Sequence, residues 1–410
     1  MADRMKWANA LSTRPSLEAA VKEVVEGAQQ QLGAPADLGL VFISSAFASE
    51  YSRLMPLLRE QLPVPHLIGT SGNGIIGMNR QQQPQEREGE PALSLTLAHL
   101  PGVDVRSFHI SADELPDSDS PPEAWVRLIG VPAAQQPQFV LLADALTFKV
   151  SDLIEGLDFA YPGATKVGGL ASGGPTGSSM ALFCNSRLYR EGTVGLALSG
   201  NIVLETIVAQ GCRPIGQPYR VSAGERNVVV ALNEGVAYGD RSRPPLEVLR
   251  DLLQTLEEKD RQLAQHSLFV GVARDEFKPD LEQGDFLIRN LLGVDPKGGA
   301  IAIGDRVRPG QRIQFHLRDA RTSAEDLEML LQRYLDLVSD APPPAGALMF
   351  SCLGRGAGLY GEPNFDSELF SRYLGKVPVS GFFCNGEIGP VAGSTFLHGY
   401  TSVFGICRQP

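Results

Sequence analysis

Short apolar runs alternate with helical periodicities along the first part of the chain. Residues 38–44 (LGLVFIS) form an apolar run of the buried-strand type, and residues 50–62 repeat apolar positions at helical spacing. Residues 64–77 (VPHLIGTSGNGIIG) then run from a strand into a glycine-rich turn. An earlier helical segment, SLEAAVKEVVEGAQQQLG, ends at Gly33. The predicted order is therefore helix, strand, helix, strand and glycine turn.

The strand–helix–strand–turn order recurs twice more. Residues 139–174 predict a strand, a helix and a strand that ends in glycines, and residues 347–389 repeat the arrangement. The first and third copies end in related turns, NGIIG (73–77) and NGEIG (385–389). This shared NGxIG pattern favours duplication of one unit within the chain.

Equal spacing also supports the repetition. Gly69 lies 29 positions after Leu40, and Gly168 lies 29 positions after Phe139. Any α/β protein contains strand–helix–strand units, so equal spacing alone can arise by chance. The interpretation as a duplication therefore depends mainly on the shared turn.

The pattern changes character near residue 212. Residues 178–211 predict three strands joined by tight turns, and residues 243–263 predict a helix opened by prolines. Four further strands are predicted at 267–275, 285–295, 299–305 and 312–320. Strands that follow one another so closely are usually antiparallel, so we expect mixed sheets.

These patterns predict the fold class α/β (α+β), with two related modules whose mixed β-sheets are flanked by helices. The modules are expected at residues 1–211 and 212–410. A chain of 410 residues is long enough for two domains with sizeable cores.

Composition narrows the class of protein. The net charge of −11 argues against nucleic acid or an anionic membrane as the main partner. No apolar run is long enough for a membrane-spanning helix, and the N-terminus lacks the apolar core of a signal peptide. The cysteine count is odd and no CxxC pair occurs, so we expect thiols in a cytoplasmic protein and no metal site. The five cysteines are Cys184, Cys212, Cys352, Cys384 and Cys407.

The glycine-rich turns carry no nucleotide motif. GTSGNGIIG lacks the Lys-Ser/Thr pair of a P-loop, and no GxGxxG stands between a strand and a helix. Glycines there permit tight turns, and they also allow backbone N–H groups to approach a ligand closely. The pattern leaves both interpretations open.

The stretch SCLGRGAGLYGE (351–362) offers a different chemistry. Cys352 ends an apolar strand, and Arg355 stands between two glycines. An arginine in a glycine loop can bind a carboxylate or phosphate with both arms of its guanidinium, or it is simply a solvated surface residue. Cys352 is a small core residue or, beside a base, a nucleophile.

The stretch GFFCNGEIGP (381–390) places one carboxylate among aromatics and glycines. Glu387, directly after Gly386, is expected to be buried, and a buried carboxylate needs a partner. That partner is an arginine such as Arg355 or Arg289, or the ammonium group of a ligand. Arg289 lies in the strand segment DFLIRN, where alternation equally allows a solvent-facing position.

The stretch LHGYT (397–401) completes the candidate set. His398 and Tyr400 alternate, so they are predicted to face the same side of a strand. They can line a pocket or ligate a haem iron, and a lone histidine can also be purely structural. A set of Cys352, His398 and Glu387 would suit a hydrolase or transferase, although no local signature of such an enzyme surrounds it.

Three stretches together resemble the FIST domains, which are named for F-box and intracellular signal transduction proteins: VPHLIGTSGNGIIG, GALMFSCLGRG and VPVSGFFCNGEIGPVAGSTFLHGYTSVFG. The resemblance covers nearly the whole chain as an N-terminal and a C-terminal FIST module. It is strongest at 347–405, where CxGRG, GFFxxGEIGP and LHGYT occur in order. The matching motif positions are Cys352, Arg355, Gly386, Glu387, His398 and Tyr400.

The resemblance implies a ligand-sensing module of intracellular signal transduction that binds a small molecule such as an amino acid. Arg355 or Arg289 would then meet the ligand's carboxylate, and Glu387 its ammonium group. The chain shows no recognisable kinase or F-box, so we expect it to pass its signal to a separate downstream protein. Some family members bind haem and respond to nitric oxide. A haem-based nitric oxide sensor is therefore one alternative, and a cysteine-dependent hydrolase or transferase is the other.

Overall fold

The structure is a computed structural model that describes residues 4–146, 148–173, 180–233, 242–276, 278–281 and 283–410. The helices are α1 (Leu17–Leu32), α2 (Tyr51–Gln61), α3 (Pro122–Ile129), α4 (Val150–Ala160), α5 (Pro245–Thr255), α6 (Glu258–Ala264), α7 (Ala320–Leu337), α8 (Ala357–Tyr360) and α9 (Phe365–Leu374). Across these described ranges, no helix combines the length and apolar character that crossing a lipid bilayer requires.

The strands are numbered in chain order. They are β1 (Lys6–Ser12), β2 (Leu38–Ser44), β3 (His66–Gly72), β4 (Gly74–Met78), β5 (Pro84–Glu88), β6 (Leu93–His99), β7 (Val103–Ile110), β8 (Gln138–Ala143), β9 (Lys166–Leu170), β10 (Leu182–Cys184), β11 (Arg187–Tyr189), β12 (Thr193–Gly200), β13 (Val203–Ala209), β14 (Arg213–Glu225), β15 (Val228–Asn233), β16 (Ser242–Arg243), β17 (Leu268–Ala273), β18 (Phe286–Val294), β19 (Ile301–Ile303), β20 (Arg312–Leu317), β21 (Gly346–Cys352), β22 (Val379–Cys384), β23 (Glu387–Val391), β24 (Ser394–His398) and β25 (Ser402–Arg408).

The chain divides into two compact units. The first consists of Met1–Ala209 together with Glu328–Pro410, and the second is Gln210–Leu327. The chain thus leaves the first unit close to the predicted module boundary at residues 211 and 212, and it returns at residue 328. The division into sequence modules 1–211 and 212–410 stays a prediction.

Three six-stranded sheets of one plan build the first unit, as far as its residues are described. In spatial order they are β1-β6-β2-β3-β10-β11, β7-β12-β8-β9-β23-β24 and β13-β25-β21-β22-β4-β5. The third and fourth strands of each sheet are parallel and are joined through helices, whereas all other pairings are antiparallel. The predicted α/β class with mixed sheets and flanking helices is confirmed. The three predicted strand–helix–strand units, which we call the first, second and third repeats, occupy equivalent places.

The last two strands of each sheet come from a different repeat. The hairpin β4–β5 follows the first repeat along the chain but pairs with β22 of the third. The hairpin β10–β11 follows the second repeat and pairs with β3 of the first. The hairpin β23–β24 follows the third repeat and pairs with β9 of the second. The exchange is therefore cyclic, and each hairpin covers an edge that another repeat would leave open.

The three sheets share one core. Alternate residues of the central strands point into it, and these are Leu40, Phe42, Val140, Leu142, Leu348 and Phe350. The intervening residues of β2 lie under α1 and α2, and those of β8 lie under α3 and α4. The strands are consequently buried on both faces, which explains why they appear in the sequence as continuous apolar runs.

Helix α1 shows how local sequence sets an element's limits. The Ser16 side chain accepts a hydrogen bond from the N–H of Ala19, and Gly33 adopts a left-handed conformation with φ 58°. The Gly33 N–H donates to the carbonyl oxygen of Gln29. The predicted end of this helix at Gly33 is confirmed.

A glycine stands at one equivalent register position in each parallel pair. The pairs are Gly69 opposite Val41, Gly168 opposite Leu141 and Gly381 opposite Met349. A Cβ atom on any of these glycines would overlap the partner's carbonyl oxygen, so no other residue fits. Along the chain, each glycine follows its strand partner by 28, 27 and 32 positions respectively, although the strand register is the same in all three pairs. The equal spacing of 29 residues noted in the sequence therefore does not join structurally equivalent positions.

The second unit is an antiparallel barrel within the residues described. Strands β14, β20, β17, β18, β19 and β15 follow one another, and β15 pairs back with β14, while β16 extends from β15. The four strands predicted between residues 267 and 320 are confirmed as β17 to β20. The single helix predicted at 243–263 is wrong, because the chain breaks it at Leu256 and Glu257 into α5 and α6.

The close approach at Gly381 makes a direct test. We expect Gly381→Ala to lower the free energy of unfolding by about 3 kcal/mol or more, because the added methyl group forces two parallel strands apart. Urea unfolding measures the change. Gly358→Ala in α8 is the control, since nothing lies within 4 Å of the added carbon there. Equal stability of the two variants would contradict the close-approach requirement.

Candidate functional site

Three segments from the C-terminal part of the chain converge where β21 and β22 end. The N–H of Cys352 donates to the carbonyl oxygen of Thr401 over 2.9 Å. The N–H of Leu353 donates to the carbonyl oxygen of Cys384 over 3.1 Å. The C-terminal loop cluster, as we name this region, is residues 352–356, 384–387 and 398–401. It contains all the sequence-predicted site residues except Arg289.

Gly386 forms the turn that leads into β23. It is buried, and its carbonyl oxygen accepts a hydrogen bond from the N–H of Leu170 over 2.8 Å. A Cβ atom there would lie 3.1 Å from the Cδ1 atoms of Leu170 and Leu397. The turn therefore packs against the second repeat, and little room remains for any side chain.

Glu387 is the first residue of β23 and is fully buried. It lies opposite Gly169 on one side and opposite His398 on the other. The N–H of Thr401 donates to its Oε2 atom over 3.1 Å. The expectation that this carboxylate is buried is confirmed, and a main-chain N–H is one of its partners.

The repeats show what the fold alone requires at the position of Glu387. By register, Ile75 of the first hairpin and Leu182 of the second occupy the equivalent place. Both are fully buried members of the shared core. Two of the three repeats therefore fill this position with an aliphatic side chain, so packing does not explain the carboxylate in the third repeat.

Arg355 is also fully buried, which excludes the solvated position considered for it. Its Nε donates to Oδ2 of Asp366 over 2.6 Å, and its Nη2 donates to Oδ1 over 2.9 Å. Nη2 also donates to the Tyr360 hydroxyl over 2.6 Å, and Nη1 donates to the carbonyl oxygen of Tyr400 over 3.4 Å. The predicted two-armed recognition of a carboxylate is present, but this carboxylate belongs to the chain itself.

The first repeat's hairpin closes over the Arg355 loop. The Oε1 atom of Glu88 accepts a hydrogen bond from the N–H of Ala357 over 2.9 Å. The Oε1 atom of Glu86 accepts one from the N–H of Ser367 over 2.9 Å, while the Glu86 N–H donates to Oδ1 of Asn364 over 2.7 Å. Hairpin exchange thus brings two more carboxylates to the loop and to the start of α9.

Burial, followed by the nearby charge of Asp366, raises the pKa of Glu86 to about 8. Its Oε2 atom is buried and has no hydrogen-bond partner among the described residues. At neutral pH the Glu86 carboxyl is therefore mainly protonated. Asp366 then carries the charge that pairs with Arg355, and a neutral Glu86 adds no second negative charge beside the buried pair.

The two cysteines of the cluster differ in exposure. Cys352 is partly exposed, and its sulfur accepts a weak hydrogen bond from the N–H of Gly354 at 3.5 Å. Cys384 is buried, and its thiol donates to the carbonyl oxygen of Phe382 at 3.4 Å. Burial, with lesser effects from Glu387 and Cys352, holds the pKa of Cys384 well above that of an ordinary thiol.

His398 ends β24 and is buried, with Nε2 at 3.0 Å from the carbonyl oxygen of Gly389. Tyr400 has φ 61° and lies in the turn between β24 and β25. The prediction that these two side chains alternate along one strand is therefore wrong. The left-handed backbone at Tyr400 presents its carbonyl oxygen to Arg355 instead.

The fit of a metal or haem can be judged from the same residues. Among the described side chains, no group of three or more His, Cys, Asp and Glu residues is arranged to hold a metal ion. An iron on Nε2 of His398 would have to replace the bond to Gly389, inside the pairing of β23 with β24. Haem binding stays a prediction from the family resemblance.

Arg289 lies in the second unit, on β18. Its Nε atom donates to Oδ2 of Asp305 over 3.0 Å. The other six candidates belong to the first unit. The predicted ligand-binding role of Arg289 stays a prediction.

Sequence reasoning missed Asp366, Tyr360 and Glu86. Asp366 and Tyr360 lie within eleven residues of Arg355, and an acidic residue in the first turn of a predicted helix was a usable signal for the former. Glu86 carried no such signal, since its 278-residue separation from Asn364 is bridged only by the exchanged hairpin.

Comparison with known families adds an independent finding. The FIST N domain matches residues 37–235, and the FIST C domain matches residues 245–390. An uncharacterized protein of Mycobacterium tuberculosis is 34% identical over 395 residues, which cover 96% of this chain and 97% of that protein. An uncharacterized protein of Mycobacterium bovis is 32% identical over 391 residues and 95% of both chains.

Two more distant similarities complete the comparison. An F-box/LRR-repeat protein of Arabidopsis thaliana is 24% identical over 366 residues, covering 76% of this chain and 66% of that protein. Among solved structures, cyanuric acid hydrolase from A. caulinodans aligns over 99% of both chains with 8% identity and a TM-score of 0.35. The last similarity is too weak to carry an argument.

The buried ion pair predicts a large effect of removing one partner. We expect Arg355→Ala to lower the free energy of unfolding by about 3–5 kcal/mol, because it leaves the carboxylate of Asp366 buried without its cation. The double variant Arg355→Met with Asp366→Leu should lose less. Lys22→Ala, at an exposed pair with Glu26, is the control and should change stability by no more than about 0.5 kcal/mol. If the double variant lost as much stability as the sum of the losses at Arg355 and at Asp366 taken singly, the coupling between the two side chains would be contradicted.

The raised pKa of Glu86 predicts a pH dependence of stability. Between the ordinary value of 4.5 and about 8, the folded protein keeps a proton that the unfolded chain releases. This group therefore lowers the free energy of unfolding as pH rises through that window, by up to about 1.4 kcal/mol per pH unit. Urea unfolding from pH 5 to 8 should show a shallower decline for Glu86→Gln than for the wild type. Parallel profiles would disprove the assignment.

Proposed function

This chain belongs to the FIST family, which is associated with sensing in signal transduction, and we propose that it senses a small amino-acid-like ligand bound at the C-terminal loop cluster. The observation that carries the proposal is Glu387, a fully buried carboxylate at a position where two equivalent repeats place Ile75 and Leu182. We assign a cationic group of the ligand to that carboxylate, because packing does not account for a charged residue at this position and a charge-assisted hydrogen bond would stabilise it.

The ligand's ammonium group is assigned to Glu387. Its carboxylate is assigned to Arg355, where it would exchange with Asp366 on the guanidinium. Because Asp366 lies in the first turn of α9, this exchange would alter how the helix is held at its start. That change is the signal we propose for a downstream protein. A cytoplasmic location, a reducing compartment that suits a protein with five thiols, belongs to the same proposal.

Sensing is better supported than catalysis by Cys352. The sulfur of Cys352 accepts a bond from its own turn, and Nε2 of His398 is directed to Gly389. Both contacts are local to a turn and a hairpin, whereas a cysteine hydrolase needs its nucleophile activated by an adjacent base.

Native mass spectrometry of the protein as purified, together with its absorption spectrum, identifies what is bound. A bound mass in the amino-acid range without a Soret band supports the proposal. A haem mass with a Soret band would replace it with the gas-sensor alternative. Either result also provides the ligand for titration.

The decisive variants are Glu387→Gln and Glu387→Ile. Loss of one charge-assisted hydrogen bond, worth about 1.5–3 kcal/mol, should weaken amino-acid binding to Glu387→Gln roughly tenfold or more in titration calorimetry. Glu387→Ile reproduces the first repeat's residue, so it should fold and lose binding, although the N–H of Thr401 loses its acceptor and stability should fall by about 1–3 kcal/mol. Glu86→Gln is the matched control and should keep its affinity, because that carboxyl is already mainly neutral at pH 7. Unchanged affinity in Glu387→Gln would disprove the ammonium assignment.

A further inference from the structure

Two thiols stand opposite each other at the ends of β21 and β22. Cys352 and Cys384 are partners in the parallel register. Phe350 and Phe382, two residues earlier on each strand, both point into the shared core, so the cysteine side chains extend from the same face. Neighbouring strands lie about 4.8 Å apart, which falls within the Cα separation of roughly 4.4–6.8 Å that disulfides span.

The repeats again show what the fold requires at these positions. By register, Ser44 of the first repeat and Asp144 of the second are equivalent to Cys352. Each of the three accepts a hydrogen bond from the N–H two residues later: at 3.1 Å for Ser44, 2.9 Å for Asp144 and 3.5 Å for Cys352. Sulfur is the weakest of these acceptors, so the turn does not explain a thiol in the third repeat.

Exposure separates the roles of the two thiols. Cys352 is partly exposed, whereas Cys184, Cys212, Cys384 and Cys407 are buried. The sulfur of Cys384 occupies space beside Gly169, where a Cβ atom would collide with it. A raised pKa also keeps Cys384 protonated in the resting protein. An oxidant from solvent therefore meets Cys352 first, and Cys384 lies behind it.

We propose that Cys352 and Cys384 form a reversible disulfide on exposure to a hydroperoxide, which makes the C-terminal loop cluster a site of redox modification. The Cys352 thiolate attacks the peroxide, the O–O bond breaks, and a sulfenic acid and an alcohol or water form. The Cys384 sulfur then attacks the sulfenic sulfur. The S–S bond forms as the S–O bond breaks, and the departing hydroxide takes the Cys384 proton to leave as water. Two thiols are oxidised by two electrons, and one peroxide is reduced.

The bond would join the two strand ends from which the ligand-binding segments leave. Arg355 follows Cys352 by three residues, and Glu387 follows Cys384 by three. Oxidation would therefore restrict the loops that hold both proposed ligand charges, and this regulatory consequence rests on the proposed function. Transient disulfides of this kind are the form expected in a reducing compartment.

The test uses the full reduced chain and hydrogen peroxide, with alkylation and intact mass under denaturing conditions. We expect a loss of two hydrogens, two fewer alkylatable thiols than the five of the reduced chain, and reversal by dithiothreitol. Peptide mapping should place the bond between Cys352 and Cys384. In Cys384→Ala, dimedone should trap a sulfenic acid at Cys352, whereas in Cys352→Ser the four remaining thiols should stay reduced at the same peroxide dose.

Three results would overturn the proposal: no mass loss in the wild type, a bond that maps to other cysteines, or sulfenic acid that accumulates on wild-type Cys352 without closing. Peptide mapping of the wild type decides the matter even if a variant does not fold. None of these measurements needs the ligand. A result showing that Cys352 and Cys384 form no disulfide is therefore distinguishable from a result showing that the protein binds no amino-acid-like ligand.

Discussion

The open edge that each parallel strand pair would leave is the constraint on which the first unit depends. A strand edge presents unpaired N–H and C=O groups that must find partners when buried. Here β3, β9 and β22 are each completed by a hairpin from another repeat, in a cyclic order. No repeat can satisfy its own edge, so the three sheets and their shared core should form together. The chain's return at residue 328 supplies the third repeat that closes the cycle.

The same exchange assembles the candidate site. Glu86 and Glu88 arrive on the first repeat's hairpin, yet they bind main-chain N–H groups around the third repeat's Arg355 loop. Glu387 arrives on the third repeat's hairpin and lies opposite Gly169 of the second. The carboxyl groups of Glu86 and Glu387 are buried because the sheets that receive their strands surround them with packed residues. Fold closure and site formation are thus one event.

Features that depend on residues close together in the sequence could be predicted, whereas features that depend on residues far apart could not. Strand–helix–strand order, the helix end at Gly33 and the burial of Glu387 depend on local pattern, and the sequence predicted them. The turn at Tyr400 was missed because alternation carries no information on where a strand ends. The partners of Arg355 include one close in sequence, Asp366, whereas Glu86 becomes a neighbour only through hairpin exchange. Long-range pairing of this kind leaves no periodic signal.

Internal repetition supplies a comparison within a single chain. Where three equivalent positions carry residues of one character, packing or turn geometry explains them, as with the three glycines that face a carbonyl oxygen. Where one repeat carries a residue of a different character, the other two repeats show that the fold does not require that residue. Glu387 differs in this way from the aliphatic residues at the equivalent positions of the other two repeats. Cys352 differs from the oxygen-bearing residues Ser44 and Asp144, which are stronger hydrogen-bond acceptors. Both lie in the third repeat within one loop cluster, so packing and turn geometry alone do not explain the residues at this one of three equivalent places.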